Sequence, residues 1–344
     1  MSFIPKEIPE GAIRYNTDSN KMEVWIGDKW MQVAVSTPNL DGGSRGLFMG
    51  GATPSQVTPI DFITISTFGN AQDFGDRTQS GEGGHFASRT RAVCGGASAP
   101  TYVNTVDFVT ISSTGNASDF GDKTTLNARA SGCSNATRGM LAGGFKAPNA
   151  SDVIDFCTIA TTGDFLDFGD LLGNREAPAG NINSSTRALW TSGDTDGAGN
   201  FANSISFVTI ASTGNAQEFG GLVETAFGSS GLSSATRGLI AGGYNPNSPM
   251  ASSTSINVIQ SLTIATLGNT VDFGDLASNH EARYNVGSCT DCVRGIFAGG
   301  THSGGLTNVI GAVNLASEGN AVKFGDLTAN KRFYGGTSNG HGGL

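Results

Sequence analysis
The sequence predicts an all-β protein in which six repeated units each fold as a four-stranded wedge, and three observations carry that reading. An Arg followed by an apolar run, and usually by a Gly pair, recurs at Arg45, Arg91, Arg138, Arg187, Arg237 and Arg294. A short segment ending DFGD or a variant places its aromatic ring at Phe74, Phe120, Phe168, Phe219, Phe273 and Phe324, at intervals of 46, 48, 51, 54 and 51 residues. No stretch shows the 3.6-residue apolar period that helical repeats require. A period near fifty with four short strands per unit is that of β-propeller blades, so the expected fold is a six-bladed β-propeller of four-stranded blades.

In chain order, residues 9–35 (PEGAIRYNTDSNKMEVWIGDKWMQVAV) come first. Ala12–Tyr15, Met22–Trp25 and Trp30–Val35 read as three short strands separated by turns rich in Asn, Asp and Gly. So short a meander cannot build an adequate core alone, which predicts that residues 1–35 form an extended arm and anchoring module. Trp25 and Trp30 are its candidate anchoring residues, because paired aromatics suit a docking surface. Residues 36–44 (STPNLDGGS) read as a linker, and residues 45–344 as the propeller.

Within each unit the second strand carries apolar residues at both parities, as with Ile60 and Phe62 against Ile63 and Ile65. A half-exposed strand would alternate with polar residues, whereas a blade between two neighbours buries both faces. The segment before Arg45 lacks the fourth-strand pattern seen in NARASGCSNAT from Asn127, but the C-terminal KRFYGGTSNG from Lys331 has it. Arg332 and Ser338-Asn339 parallel Arg129 and Ser134-Asn135. The C-terminal strand is therefore expected to complete the first blade and close the ring, removing open sheet edges.

Composition narrows function. The chain of 344 residues carries a net charge of −9 and no basic block, so phosphate-driven binding to nucleic acid has no electrostatic support. No segment is apolar enough over the length of a membrane span, and the N-terminus has no leader-like apolar stretch, which predicts no membrane insertion. Cys94, Cys133, Cys157, Cys289 and Cys292 are odd in number and scattered, so assembly in a reducing cytoplasm is the simpler reading.

Each candidate for chemistry has a structural explanation. The recurrent Arg is expected to pair with the recurrent carboxylate that ends DFGD (Asp76, Asp122, Asp170, Asp275 and Asp326). Asp194-Thr-Asp196-Gly opens like a calcium loop but lacks the closing Glu, since Ile205 stands there, and is read as a turn. Cys289 and Cys292 have redox or zinc spacing without a second ligand pair, and His85, His280, His302 and His341 share no blade position. No catalytic residue, metal or cofactor is therefore expected, and a non-enzymatic protein is.

Recognition is expected where loop length varies. From the second Gly of the Gly pair to the Thr or Asn of the second strand is 13 residues in the first unit (Gly51 to Thr64) and 20 in the fifth (Gly243 to Thr263). Counted from the strand that precedes the Arg, connections 2–3 and 4–1 of an up-and-down blade emerge on one face, and loops that vary over a rigid scaffold carry binding. The longest insert, YNPNSPMASSTS, makes Tyr244, Asn245, Asn247 and Met250 the candidate residues of a partner- or receptor-binding rim.

Over residues 45–340 the order Arg, apolar run, Gly-Gly, apolar strand and aromatic strand resembles the kelch repeat, with the Phe of DFGD where kelch blades usually carry Trp. The wording TRGLIAGG and IDFxTIATTGNAxDFGDL is similar to repeat proteins of marine and cyanobacterial tailed phages, and GAIRYNT followed by E.W.G..W resembles modules of phage fibre and virion proteins. The resemblance implies a virion structural or adhesive protein assembled in the host cytoplasm, in several copies. It would be held to other virion proteins by the N-terminal module and present the propeller at a tail fibre or baseplate, with a host cell-surface receptor or glycan as the expected further partner. Capsid decoration, a non-viral kelch-type interaction module and a glycan-active propeller enzyme are the alternatives.

Overall fold
A computed structural model describes residues 8–17, 21–32, 44–248, 255–276, 282–333 and 335–344. Contacts divide the chain into residues 1–40 and 41–344, a break that falls inside the expected linker.

In the N-terminal unit, Ile13–Asn16, Lys21–Ile26 and Lys29–Gln32 form an antiparallel three-stranded sheet in sequence order. The strands lie one residue off the expected bounds, and the third ends at Gln32, with 33–35 outside the described residues. Trp25 and Trp30 are direct cross-strand partners, their rings 5.4 Å apart and edge-to-face. The Arg14 guanidinium lies over Trp30 and pairs with Glu23, so this face is partly closed. The register puts Ile13, Tyr15, Met22, Ile26 and Met31 on the opposite face, and they are the more exposed apolar side chains, with Ile13 64% accessible.

The second unit is all-β, and no helix occurs among the described residues. Sheet 1 runs Thr337–Ser338, Arg45–Met49, Pro59–Thr64 and Gln72–Asp76. Sheet 2 runs Gly84–Ala87, Arg91–Ala97, Val103–Thr110 and Ser118–Asp122. Sheet 3 runs Ser131–Ser134, Arg138–Ala142, Asn149–Thr158 and Leu166–Arg175. Sheet 4 runs Ala179–Asn183, Arg187–Thr191, Ser204–Thr209 and Gln217–Gly221. Sheet 5 runs Ser230–Ser233, Arg237–Ala241, Val258–Thr263 and Val271–Asp275. Sheet 6 runs Gly287–Thr290, Arg294–Ala298, Val309–Asn314 and Val322–Asp326. All are antiparallel, as expected of blades; in each sheet the strand given first is the inner strand, and the third, which carries the apolar run, is the middle strand. Sheet 1 takes its first strand from the C-terminus, where Thr337 faces Leu47 and Ser338 faces Gly46.

The both-parity pattern has the predicted consequence. Each apolar cluster lies between consecutive sheets, so the middle strands are buried on both faces. Phe62 and Phe74 of sheet 1 pack with Cys94, Val109 and Ile111 of sheet 2. Ile296, Ile310 and Phe324 of sheet 6 pack with Phe48, Ile63 and Ile65 of sheet 1. The Phe of DFGD is buried in every repeat, and in sheets 1 to 4 it meets the aromatic ring of the middle strand edge-on, at 5.7 to 5.9 Å.

The recurrent Arg does something other than expected. It does not pair with the DFGD carboxylate, and the register explains why. Arg45 lies opposite Thr64 at one end of the middle strand, while Asp76 lies opposite Pro59 at the other. Instead its Nη1 donates to a main-chain carbonyl of the next sheet. Arg45 reaches Ile111, Arg91 Ile159, Arg138 Ile210, Arg187 Ile264, Arg237 Leu315 and Arg294 Ile65, all at 2.6 to 2.9 Å. In sheets 1 to 4 the guanidinium also stacks over the middle-strand Phe, as Arg138 does over Phe156 at 4.5 Å.

A second repeated link uses the Gly-Asn turn. The amide of Gly115 donates to the carbonyl of Phe74, and Asn116 Oδ1 accepts the amide of Asp76 at 3.0 Å. The same pair of bonds ties sheet 1 back to sheet 6, where Gly69 donates to Phe324 and Asn70 accepts from Asp326. The approach is close enough to require glycine in DFGD. A Cβ on Gly75 would lie 2.3 Å from the Gly115 oxygen, and one on Gly325 2.0 Å from that of Gly69.

Candidate functional site
The connections between second and third strands meet those that lead into the inner strands, as the up-and-down reading expects. Single β-bridges join Ala52 to Arg332, Ala128 to Phe145, Glu176 to Asp194, Phe227 to Tyr244 and Tyr284 to Thr301. These equivalent positions make it possible to see where the repeats differ.

Beside these positions in sheets 1 to 4 runs a chain of ion pairs, although the bridged pair of sheet 3, Ala128 and Phe145, is itself uncharged. Glu82 accepts from Arg332 Nε at 2.8 Å and from Arg129 Nε at 3.2 Å, and Arg129 also pairs with Glu176. Burial pushes the Glu176 carboxyl above its ordinary range, and the Arg129 charge opposes that shift. In sheets 5 and 6 the same positions are aromatic, Phe227 and Tyr284. The Tyr244 and Tyr284 rings stand 5.4 Å apart at 60°.

Between these two regions lies a cup of about 560 Å³, within the roughly 300–1,000 Å³ typical of small-molecule sites. Its walls include Phe201, Phe227, Tyr244 and Tyr284, with Glu176 and Asp194 among the lining groups and Asn247 at the rim. The rings are half-buried, while both carboxylate residues are buried. By contrast, grooves of about 230 to 330 Å³ at sheets 1, 4 and 6 are lined by equivalent residues of the middle strand and the Gly-Asn turn, so they follow from the repeat itself. The cup departs from that symmetry.

Of the residues singled out on loop length, Tyr244 and Asn247 line the cup. Asn245 does not serve as a surface contact: it is buried, donating to the Thr225 carbonyl at 2.8 Å and accepting the Asn247 amide, so it holds the loop in shape. Met250 lies outside the described residues. Glu176, Phe201, Phe227 and Tyr284 were missed, because they come from three sheets and no local motif marks them. Lining up the residues three before Ser131, Ala179, Ser230 and Gly287 brings Ala128, Glu176, Phe227 and Tyr284 into register, which would have exposed the aromatic pair.

The remaining motifs have partners within the fold. Asp194 accepts from the amides of Asp196, Gly197 and Gly199 at 2.9 to 3.1 Å, and Asp196 accepts from Asn200, so the calcium-like loop is a self-satisfied turn. Cys289 is buried, and Cys292 lies 3.1 Å from the Gly340 carbonyl. Burial pushes the Cys94, Cys133 and Cys157 thiols up to about 12, away from thiolate chemistry. His341 is not isolated. Its ring meets the Ala87 carbonyl, Ser134 and Asn183, and it belongs to a C-terminal tail that also links Asn339 to Arg45 and Gly342 to Ser233. No group of three or more metal-ligating side chains occurs among the described residues.

Comparison with known proteins adds the fold. No family model and no curated protein matches the chain. Among solved structures, the chain is similar to YjhT, a kelch-type propeller, with a TM-score of 0.59 and 9% identity over 74% of this chain and 86% of that one. At that identity the likeness speaks to architecture alone: the sheets are of the β-propeller type.

Proposed function
We propose that the chain is a non-enzymatic recognition protein of a phage virion: a six-bladed propeller, closed by its C-terminal strand, displayed on the particle and held there by residues 1–35. The observation that carries the recognition role is the aromatic cup, the place where a strongly repetitive scaffold abandons its repeat. A ring of six blades is supported by the cyclic order of the Arg-to-carbonyl bonds, the sixth of which runs from Arg294 to Ile65, and by the pairing of Ser338 with Gly46. A binding role without turnover is supported by the engagement of both cup carboxylates, Asp194 by its own loop amides and Glu176 by Arg129. The virion placement is supported by the likeness of the N-terminal module and of the repeat wording to phage proteins, and tail fibre or baseplate is favoured over capsid decoration.

The test is fractionation of particles from the native source on a density gradient, with detection of this chain by mass spectrometry. Co-migration with intact particles at constant stoichiometry is expected. Recovery only in the soluble fraction would refute the virion placement.

A further inference from the structure
We propose that the cup between sheets 4, 5 and 6 is a saccharide site, which takes a neutral sugar ring of an oligosaccharide by stacking it on Tyr244 and Tyr284. This inference rests on the reading of the chain as a recognition protein and names the class of ligand.

An aromatic cup with carboxylates has two obvious occupants, an organic cation and a sugar, and the structure separates them. A cation seeks uncompensated negative charge together with aromatic faces. The carboxylates here are already engaged, one by a cation and the other by main-chain donors. Asp194 accepts three backbone amides of its own turn, and Glu176 is paired with Arg129. A neutral ligand rich in hydroxyls needs ring faces for its C–H surface and a mixture of donors and acceptors for its edge. The cup supplies both. Phe201, Tyr244 and Tyr284 offer half-buried rings. Among the described residues neither the Tyr244 nor the Tyr284 hydroxyl has a hydrogen-bond partner, and neither does the exposed side-chain amide of Asn247. Glu176 bonds Arg129 through Oε1, which leaves Oε2 to accept from a ligand hydroxyl.

Shape and rigidity agree. A volume of about 560 Å³ is generous for a single ammonium head and suits a ring with part of its neighbour. The walls are organised before any ligand arrives. Asp194 pins one loop, Asn245 ties another to Thr225, and Ser248 donates to the buried Glu224 at 2.6 Å. A site held in this way loses little conformational entropy on binding.

The experiment is isothermal calorimetry on the full chain with maltose, cellobiose, lactose, N,N′-diacetylchitobiose and tetramethylammonium chloride as probes. At least one saccharide is expected to bind and tetramethylammonium is not. Tyr244→Ala and Tyr284→Ala should each weaken the saccharide by about tenfold or more, whereas Tyr284→Phe should retain most of the affinity. Ala198→Trp, a change at an exposed position on the lip, should block binding without altering the melting temperature, and it guards against misfolding of the Tyr variants. Binding of tetramethylammonium alone, binding of none of the saccharides, or binding that survives both Tyr244→Ala and Ala198→Trp would overturn the assignment. The virion placement fails separately: a chain absent from particles that still binds sugar leaves this inference intact, and a particle-borne chain that binds no sugar removes only this inference.

Discussion

Sheets 1 to 3 and sheets 4 to 6 are cut from one repeat but fill the position three residues before the end of the middle strand in opposite ways. In the first three it is an aspartate, which receives partners from the segment that follows the preceding sheet. Asp61 takes Thr328 and Lys331, Asp107 takes Thr78 and Arg77, and Asp155 takes Thr124. The Arg77–Asp107 pair is fully buried, and the Lys331–Asp61 pair nearly so. In the other three the residue is Ser206, Gln260 or Gly311, and the two neutral side chains among them do the same work. Ser206 Oγ accepts the Leu172 amide, and Gln260 Oε1 accepts those of Val223 and Glu224. The same interface can thus be held by buried ions or by neutral hydrogen bonds. The division resembles the one at the loop face, where ion pairs prevail around sheets 1 to 4 and aromatic rings around sheets 5 and 6.

That contrast is open to direct attack, and the largest effect should come from the ionic half. Asp107→Ala strands the Arg77 guanidinium in the interior and should cost about 3–5 kcal/mol in a denaturant titration, against about 1 kcal/mol for Ser206→Ala. Equal losses at the two sites would erase the distinction between the halves.

Acid should reveal it next. His85 in sheet 2 and His341 in the tail are both pushed down to about 4, chiefly by burial, and the Arg77 and Arg89 charges respectively add to it. Each binds its proton less readily folded than unfolded, so this linkage costs nothing above about pH 6.5, lowers stability as pH falls toward 4, and reaches its full, constant cost below that. The shift amounts to about 3 kcal/mol per ring. Hydrogen exchange at pH 4.5 should show sheets 2 and 3 opening before sheet 5, and His341→Gln should flatten the thermal profile over this window. Uniform opening of all sheets would contradict the assignment of acid sensitivity to that side.

The smallest effect should be the same on both sides. Asn116→Ala and Asn320→Ala each remove one side-chain acceptor from an exposed outer-strand amide and should lower stability by about 1 kcal/mol or less in thermal melts. A large difference between them would mean that the Gly-Asn link is not equivalent in the two halves.

Much of the scaffold could be read in advance because its signals are local and repeated. The spacing of Phe74 through Phe324 set the unit, and apolar residues at both parities, as in Ile60 to Ile65, announced strands buried on two sides. The partner of each Arg could not be read that way. Which carbonyl Arg294 meets depends on register and on a neighbour more than two hundred residues away in sequence. Composition alone suggested a carboxylate, and geometry supplied a main-chain oxygen. The Gly-Asn turn was visible as a turn, but its role in tying one sheet to the next lies in the close approach of Gly75 to Gly115. The candidate site was half legible. Loop length led to Tyr244 and Asn247, while Glu176, Phe201 and Tyr284 enter the cup only once three sheets stand side by side.

Closure by the tail is the proposition on which the rest depends, and hydrogen exchange on the full chain against a chain lacking residues 337–344 tests it most directly. Closure predicts that the deletion strips protection from Arg45–Met49 and from the inner strands Gly287–Thr290 and Gly84–Ala87, with a marked fall in melting temperature. Unchanged protection at those strands would contradict it.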